Sequence, residues 1–333
     1  MTDKHVLGID TSNYKTSIAV VKDGETLVDI RRFLKVREGE RGLRQSEALF
    51  QHVQNLPDMF AELREVFSGK IDAVAYSTRP RSVEGSYMPC FTAGSGQAVS
   101  IASALDVPAV GFSHQEGHIE AVLSAFAERP EGDFAACHFS GGTCELLKVT
   151  QKKHEASGAS SFTNLNGESA FWDIEITGGT KDISYGQVLD RAGVAMGMSF
   201  PCGQELDLIA IEAENCTDDL TRINVQDAYV HLSGFDTQIR NTLHIIQNGM
   251  FSFIREVFEK MSDSIILMLV QNAEKTGINR IYMSGGVSSS RFIREYITGR
   301  LAEKGIKVFF ADAGLSSDNA VGTALLGRRY LWD

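Results

Sequence analysis

The stretch HVLGIDTSNYKTSIAVV, residues 5–21, carries the pattern that decides the fold. It predicts a strand up to Asp10, a turn of small and hydroxylated residues, and a second strand from Ser17 to Val21. Such a turn exposes backbone N–H groups and hydroxyls that can cradle a phosphate. Asp10, at the strand end, is placed to hold a metal ion or a water molecule. An ordinary hairpin with an Asx turn would give the same pattern, so both interpretations stay open.

The same design recurs in FAACHFSGGTCELLKV, residues 134–149, where a Ser-Gly-Gly-Thr turn separates two strands. Two copies predict a duplicated, two-domain α/β fold in which each half offers a phosphate turn across a cleft. This is the organisation of the actin, hexokinase and heat-shock-chaperone ATPase superfamily. We place residues 1–113 and 318–333 in the N-terminal subdomain and residues 114–317, with a helical insertion, in the C-terminal one.

Apolar periodicity and glycine positions predict the remaining elements. An amphipathic helix starts at Ser46 with Leu49, Val53 and Leu56 inward, and Pro57 bends or interrupts it. The other predictions are a strand at 71–77, a helix at 92–105, a strand at 109–112, a loop or hairpin excursion at 151–180, a helix beginning at Asp190, largely helical structure at 236–276, strands at 280–283 and 308–311, and a final helix at 320–326.

A basic run covers residues 31–44, with arginine or lysine at 31, 32, 35, 37, 41 and 44. A solvated loop is one interpretation, and a local contact with an anion or RNA is the other.

A histidine pair lies in FSHQEGHI, residues 112–119. His114 and His118 are four residues apart, so on a helix both imidazoles lie on one face and can reach one metal ion. Imidazole suits zinc and iron, and two ligands do not complete a site, so a third must come from elsewhere. Two surface histidines without a ligand would show the same spacing.

A third turn, SGGVSSS at residues 284–290, follows the predicted strand at 280–283 and precedes a helix. A strand, a Gly-Gly turn and a helix form a site for an adenosine or phosphate group at the helix N-terminus. Gly285, Gly286 and Ser290 are the candidate residues.

Composition narrows the class of protein. The chain has 333 residues, 43% apolar residues and a net charge of -11, so bulk electrostatics do not favour nucleic-acid binding. Five cysteines without a CxxC pair predict neither a disulfide framework nor a cysteine zinc site. The polar N-terminus does not read as a signal peptide, and the apolar run at 265–270 is too short to span a bilayer. A cytoplasmic protein without membrane contact is the expectation.

Taken together, these motifs make the chain similar to the TsaD family, also called YgjD or Gcp, which is kin to the catalytic subunit of KEOPS. The resemblance covers essentially the whole chain, and it lies in the joint order of the motifs. The motifs are Gly8-Ile9-Asp10-Thr11-Ser12, Asp72-Ala73-Val74-Ala75-Tyr76, His114-Gln115-Glu116-Gly117-His118, Ser140-Gly141-Gly142, Ser233-Gly234, Gly285-Gly286-Val287-Ser288 and Ser317-Asp318-Asn319. It implies a transferase that moves a threonylcarbamoyl group from its adenylate to an adenosine in tRNA.

The resemblance also assigns residues. It implies that His114, His118 and Asp318 bind a divalent metal, which we expect to be iron or zinc, with magnesium as an alternative. It implies that Ser140, Gly141 and Gly142 bind substrate or nucleotide phosphates of ATP or an adenylate. Asp190, Gly203 and Asp207 fall where the family binds the ribose and its surroundings. A partner protein or a second copy of the chain is the expected protein partner.

Several departures from the family pattern change the charge around this site. The family's Cys-Asp-Glu is Asn13-Tyr14-Lys15 here, its Gly-Pro-Gly turn is Arg79-Pro80-Arg81, and its Asn after Gly-Gly-Val is Ser290. The Ser-Gly-Gly turn is followed by Thr143-Cys144 instead of His-Thr, and another carboxylate is lost before Asp190. We therefore predict a divergent paralogue in which Lys15 and Asp10 are catalytic and Lys15, Arg79 and Arg81 recognise an anion.

Two other functions remain open. A nucleotide-binding paralogue could serve as a non-catalytic scaffold, although such a protein has no need of metal ligands. A metallopeptidase, as an older glycoprotease label for the family implies, would use the histidine pair. The HExxH arrangement of such enzymes is absent, because Glu116 is two residues after His114.

Overall fold

The structure is a computed structural model that describes residues 3–12, 14–36, 43–153, 162–164, 169–246 and 249–333. Among these residues two sheets form. The first contains β1 (His5–Asp10), β2 (Lys15–Lys22), β3 (Glu25–Phe33), β4 (Ala73–Arg79), β5 (Ala109–Ser113) and β8 (Phe162–Asn164), and the second contains β6 (Phe134–Phe139), β7 (Cys144–Gln151), β9 (Trp172–Thr180), β10 (Val225–Gln226), β11 (Tyr229–Val230), β12 (Arg280–Ser284) and β13 (Lys307–Phe310).

The two sheets repeat one topology. The first has the order β3-β2-β1-β4-β5-β8 and the second has the order β10-β11-β9-β7-β6-β12-β13. In each, a strand pairs antiparallel with its hairpin partner on one side and parallel with a later strand on the other: β1 lies between β2 and β4, and β6 lies between β7 and β12. The predicted duplication is therefore present in the strand order. The subdomain boundaries at 113/114 and 317/318 stay a prediction.

The helices cover both faces of the sheets. Those in the described chain are α1 (Gln45–Val66), α2 (Phe91–Leu105), α3 (His114–Leu123), α4 (Tyr185–Ala195), α5 (Gly203–Glu212), α6 (Ser233–Leu243), α7 (Met250–Thr276), α8 (Arg291–Ala302), α9 (Ala313–Ser316) and α10 (Val321–Trp332), with a 3₁₀ turn at Val287–Ser289.

The layers follow from which side chains share a core. On β1, Leu7 and Ile9 pack with α1 and α2, whereas Val6 faces the other way into a core shared with α3 and α10. That second core also takes Phe134 and Tyr282 from the second sheet. Helices α3 and α10 therefore lie between the two sheets. Because the strands are buried on both faces, their sequences are nearly continuous apolar runs.

Helix α1 corrects two predictions. It continues through Pro57 to Val66 without interruption, and Val53 is 50% exposed, whereas Leu56 is fully buried as predicted. Burial of Leu56, Met59 and Leu63 against the first sheet outweighs the hydrogen bond that a proline removes, because packing supplies most of a helix's stability.

Two further stretches differ from the predictions, and one alternative is decided. Arg31 and Arg32 lie in β3, not in a loop, while Arg37 and Arg41 lie outside the described residues. Of the loop or hairpin excursion predicted at 151–180, the hairpin alternative fits, because the stretch ends in the nine-residue strand β9, which pairs antiparallel with β7. Helix α4 begins at Tyr185 and not at Asp190, because Ser184 and Gln187 form a capping box at its start.

The described residues contain no helix that is both long and apolar enough to cross a membrane.

Candidate functional site

The histidine pair lies at the start of α3, directly after β5. Ser113 caps the helix, accepting from the N–H of Glu116, while Glu116 Oε2 accepts from the Ser113 N–H at 2.9 Å. Glu116 Oε2 also accepts from the hydroxyl of Ser82 at 2.6 Å. This capping box fixes the first turn of α3. The Glu116 carboxylate is engaged in the cap and not with the two imidazoles.

Asp318 reaches the pair because α3 and α10 cross at very close range. A Cβ placed on Gly322 would overlap the carbonyl oxygen of Gly117, so only glycine permits this approach. Asp318 precedes α10, and Asn319 Oδ1 accepts from the N–H of Gly322 at 3.2 Å, which fixes the loop to the helix start. The crossing thus places Asp318 beside the imidazoles.

The three predicted ligands form a compact group. Their ligand atoms all lie within 4.8 Å of one another. His114 Nε2 is 2.9 Å from His118 Nε2, and Asp318 Oδ1 is 3.3 Å from His118 Nε2 and 3.6 Å from His114 Nε2. Ligands about 2.1 Å from one ion lie about 3.0–3.4 Å apart, so two imidazoles and a carboxylate at these distances fit a divalent metal.

Asp10 hydrogen-bonds to His114 through the ring nitrogen that faces away from His118 and Asp318. Its Oδ2 is 2.8 Å from His114 Nδ1, and its Oδ1 accepts from the Ser12 N–H at 2.9 Å. An Nδ1–H that donates to Asp10 leaves Nε2 as the unprotonated nitrogen that faces His118 and Asp318. A carboxylate behind a metal-binding histidine commonly fixes the tautomer in this way.

The carboxylates favour positive charge at this point. Burial opposes a charge on His114, but Asp10 and then Asp318 outweigh it and raise the pKa of His114 to about 10. Burial and the neighbouring His114 lower the pKa of His118. Burial also opposes ionisation of Asp318, yet both imidazoles hold its pKa well below its usual value. Without a metal, the carboxylates favour a second proton on His114, and a bound cation would take the place of that proton at Nε2.

A third imidazole, which the sequence reasoning missed, lies beside the pair. The ring centroid of His138 on β6 is 4.1 Å from that of His118 and 6.2 Å from that of His114. Burial and these two histidines hold the pKa of His138 well below its usual value, so the ring is neutral. Its place two residues before Ser140 was a signal that could have identified it.

The three predicted anion contacts have different surroundings. Lys15 lies at the start of β2 with its Nζ 4.6 Å from the centre of the Phe33 ring. Burial lowers the pKa of Lys15, and the nearby Asp318 carboxylate opposes that change. Arg79 is buried and donates to the Thr78 hydroxyl at 2.8 Å, whereas Arg81 forms an ion pair with Glu145. Lys15 therefore lies within the electrostatic influence of Asp318.

The second and third turns meet next to the Asp318 loop. Gly285, with φ of 94°, lies against Phe139, the residue before Ser140, and its N–H donates to Ser316 O at 2.6 Å. The turn at Ser140 is closed by its own hydroxyl, which accepts from the Thr143 N–H at 3.1 Å. Beyond Gly141 and Gly286 there is open space where a side chain would stand.

The remaining predicted residues make specific contacts. Asp190 Oδ1 accepts from the N–H of Cys202 at 2.8 Å, directly before Gly203. Asp207 caps α8: its Oδ2 accepts from the Arg291 N–H at 2.9 Å, and its other oxygen bonds to the Ser290 hydroxyl. At that helix start the carboxylate of Asp207 already occupies N–H groups that an incoming phosphate would otherwise meet.

Comparison with solved structures concerns the fold. The activator of the 2-hydroxyisocaproyl-CoA dehydratase from Clostridium difficile with bound ADPNP superposes with a TM-score of 0.53 at 12% identity, over 96% of this chain and 93% of that one. A ROK family glucokinase from Streptomyces griseus in complex with glucose and AMPPNP gives 0.52 at 11% identity, over 98% and 99%. The predicted actin- and hexokinase-like architecture is confirmed.

Comparison of sequences identifies the family. The chain is 27% identical over 340 residues to the tRNA N6-adenosine threonylcarbamoyltransferase of Geobacter metallireducens, covering 98% of this chain and 92% of the relative. The sequence model of the TsaD family, tRNA N6-adenosine threonylcarbamoyltransferase, matches residues 36–325. Because that match spans most of the 333 residues, the chain belongs to the TsaD family.

Proposed function

We propose that the protein transfers a threonylcarbamoyl or related carbamoyl group from an adenylate to an acceptor such as an adenosine of tRNA. The observation that carries this proposal is the convergence of His114, His118 and Asp318 in a chain of the TsaD family. A non-catalytic scaffold would not need these groups. A metallopeptidase would need a general base at the metal, and Glu116 caps α3 instead.

His114, His118 and Asp318 would hold the divalent metal, iron or zinc by the donor set. The bound metal would supply Lewis acidity toward phosphate or carbonyl oxygens of the donor. Asp10 accepts a hydrogen bond from the Nδ1–H of His114 and so keeps Nε2 directed at the metal position.

The donor would lie along the second-sheet turns. Ser140, Gly141 and Gly142 and the open space beyond Gly286 suit phosphate and adenosine groups, while Gly285 holds the third turn against Phe139. Asp190, Gly203, Asp207 and Ser290 continue this surface, with Asp207 supporting the turn at Ser290 and Asp190 supporting the segment at Gly203.

Lys15 is proposed as the cation that meets the donor's anionic group. It stands where the family has an acid, and the opposing effect of the Asp318 carboxylate on its burial-lowered pKa supports a place for Lys15 near the metal group. A desolvated ammonium interacts more strongly with phosphate than a solvated one, because the local dielectric is lower. Tyr14 and Lys15 together thus replace two acids, one of them by a base, and favour a more anionic donor or acceptor.

The metal assignment is tested by metal analysis of the purified protein. We expect His114→Ala and Asp318→Ala to lose the metal. The control His231→Ala removes a solvent-exposed imidazole just before α6 and should retain it. Retention of metal in both site variants would refute the assignment.

The activity is tested with threonylcarbamoyl-adenylate and unmodified tRNA, by following the modified adenosine. Transfer by the wild-type protein and its loss in the two site variants are expected. Absence of transfer to tRNA by the metal-loaded wild type would leave the fold and family in place and refute tRNA as the acceptor.

Complementation separates a paralogue from the housekeeping enzyme. In a strain that lacks the housekeeping transferase, we expect weak or no rescue, because Tyr14 and Lys15 replace acidic residues of the family pattern. Full rescue would refute the paralogue hypothesis.

A further inference from the structure

A buried histidine outside the metal group holds the first turn, which we define by its described residues 10–12 and 14–16. His52 lies in α1, is fully buried and is 36 residues or more from its partners along the chain. Its Nε2 is 2.8 Å from the carbonyl oxygen of Ser12, and its Nδ1 is 2.9 Å from the hydroxyl oxygen of Thr16. The ring therefore bonds to the chain on both sides of the segment that carries Tyr14 and Lys15.

These partners determine the tautomer. A carbonyl oxygen only accepts, so Nε2 carries the proton and donates to Ser12. Asn55 Nδ2 donates to the Thr16 hydroxyl at 3.0 Å, which leaves the hydroxyl hydrogen for Nδ1 of His52. Each of the three hydrogen bonds that connect Asn55, Thr16, His52 and Ser12 then has one donor and one acceptor, and such a connected network holds its members in place. Burial also lowers the pKa of His52, in agreement with a neutral ring.

The segment held in this way has functional neighbours at both ends. Asp10, two residues before Ser12, bonds to His114. Lys15, directly before Thr16, has a pKa that burial lowers and that the Asp318 carboxylate acts to raise. Displacing Lys15 together with its backbone would therefore break a buried hydrogen bond at Ser12 or at Thr16, and a buried polar group without a partner is unfavourable.

We propose that His52 is a positioning residue of the site: its neutral, Nε2-protonated imidazole clamps the first turn and so fixes the backbone that carries Asp10, which bonds to His114, and Lys15. The importance of Lys15 rests on the function proposed above, but the clamp itself does not.

The test compares His52→Leu, His52→Gln and Thr16→Val with Leu56→Val. Leu56 lies one turn further along α1 and is also fully buried, so it controls for loss of packing in the same helix. Thr16→Val removes one side of the clamp with little change of shape, and it serves if His52→Leu does not fold. Hydrogen exchange of the peptide covering residues 10–17 and the steady-state rates of transfer are measured for each variant.

We expect His52→Leu and Thr16→Val to raise exchange in the first turn by about tenfold relative to Leu56→Val at equal global stability. His52→Gln, whose amide N–H reaches toward Ser12 O, should recover part of the protection. The ratio kcat/KM should fall by about tenfold in the clamp variants, with metal content unchanged, and stay near wild type in Leu56→Val.

Unchanged exchange in both clamp variants would overturn the proposal, and so would a fall in activity without faster exchange. Faster exchange in a protein whose wild type shows no transfer would uphold the clamp and refute the proposed function instead.

Discussion

The first turn, between β1 and β2, and the second turn, Ser140–Thr143 between β6 and β7, occupy equivalent places in the two sheets but are held differently. In the first turn, Ser12 and Thr16 bond to His52 of α1, Thr11 donates to the carbonyl of Cys90 at 2.9 Å, and Asp10 bonds to His114. The second turn is closed mainly by its own Ser140 hydroxyl and by Ser184, which donates to Gly141 O at 2.7 Å.

The difference teaches how one duplicated unit can take two roles. Thr11 and Ser12 are buried, and three other elements fix the turn around them. Fixed surroundings of this kind suit a site in which charged groups must keep a defined geometry. Gly142 is exposed and Gly141 faces open space, as suits a surface that a ligand approaches through its backbone. The following changes are chosen to break or sharpen this contrast.

The largest effect is expected at the crossing of α3 and α10. Gly322→Ala introduces a methyl group into the carbonyl of Gly117 and should lower the free energy of unfolding by about 3 kcal/mol, since overpacked contacts cannot relax. Chemical denaturation measures it. Gly299→Ala in α8, where the methyl group meets open space, should instead stabilise by up to about 1 kcal/mol. An equal effect of the two changes would contradict a tight crossing.

Asp10→Asn should weaken zinc binding by about 10–100-fold, because an amide N–H facing His114 Nδ1 moves the ring proton to Nε2, where the metal must bind. Competition with a chromogenic chelator measures the affinity. Asp207→Asn, a matched change at the start of α8 on the other side of the site, should leave the zinc affinity within about twofold. Equal losses would show that Asp10 has no special relation to the histidine.

Sequence reasoning reached the fold through two features: the repeated strand–turn–strand unit and strands that are apolar throughout. It missed β3, whose polar residues at the sheet edge show no apolar run, and it expected a bend or an interruption of α1 at Pro57 because packing against the first sheet is not visible locally. At the site, the spacing of His114 and His118 was local information, whereas Asp318 followed only from family resemblance. The links from Asp10 to His114 and from His52 to the first turn join residues 104 and 40 positions apart, so no local pattern contains them.

Gly286→Leu tests the open surface at the second-sheet turns. The side chain would enter the open space beyond Gly286, so binding of AMP should weaken by about tenfold while the free energy of unfolding changes by less than about 0.5 kcal/mol. Calorimetric titration with AMP measures the affinity. Gly299→Leu, also into open space but on α8, is the control and should bind AMP as the wild type does. Unchanged affinity in Gly286→Leu would rule out an adenosine site there.

The smallest effect separates the two turns by pH. Burial lowers the pKa of His52 in the folded state, so on acidification the unfolded chain takes up a proton at this residue before the folded chain does. The stability that His52 contributes is therefore complete above the unfolded pKa of about 6.5 and declines as the pH falls below it. Between pH 7.5 and 5.5, the difference in unfolding free energy between the wild type and His52→Gln should shrink by about 1 kcal/mol. The hydrogen bond from the Thr143 N–H to the Ser140 hydroxyl, which closes the second turn, involves no titratable group. The loss of unfolding free energy in Ser140→Ala should therefore stay constant over the same pH range. A constant deficit for His52→Gln would contradict a buried imidazole whose pKa is lowered in the folded protein.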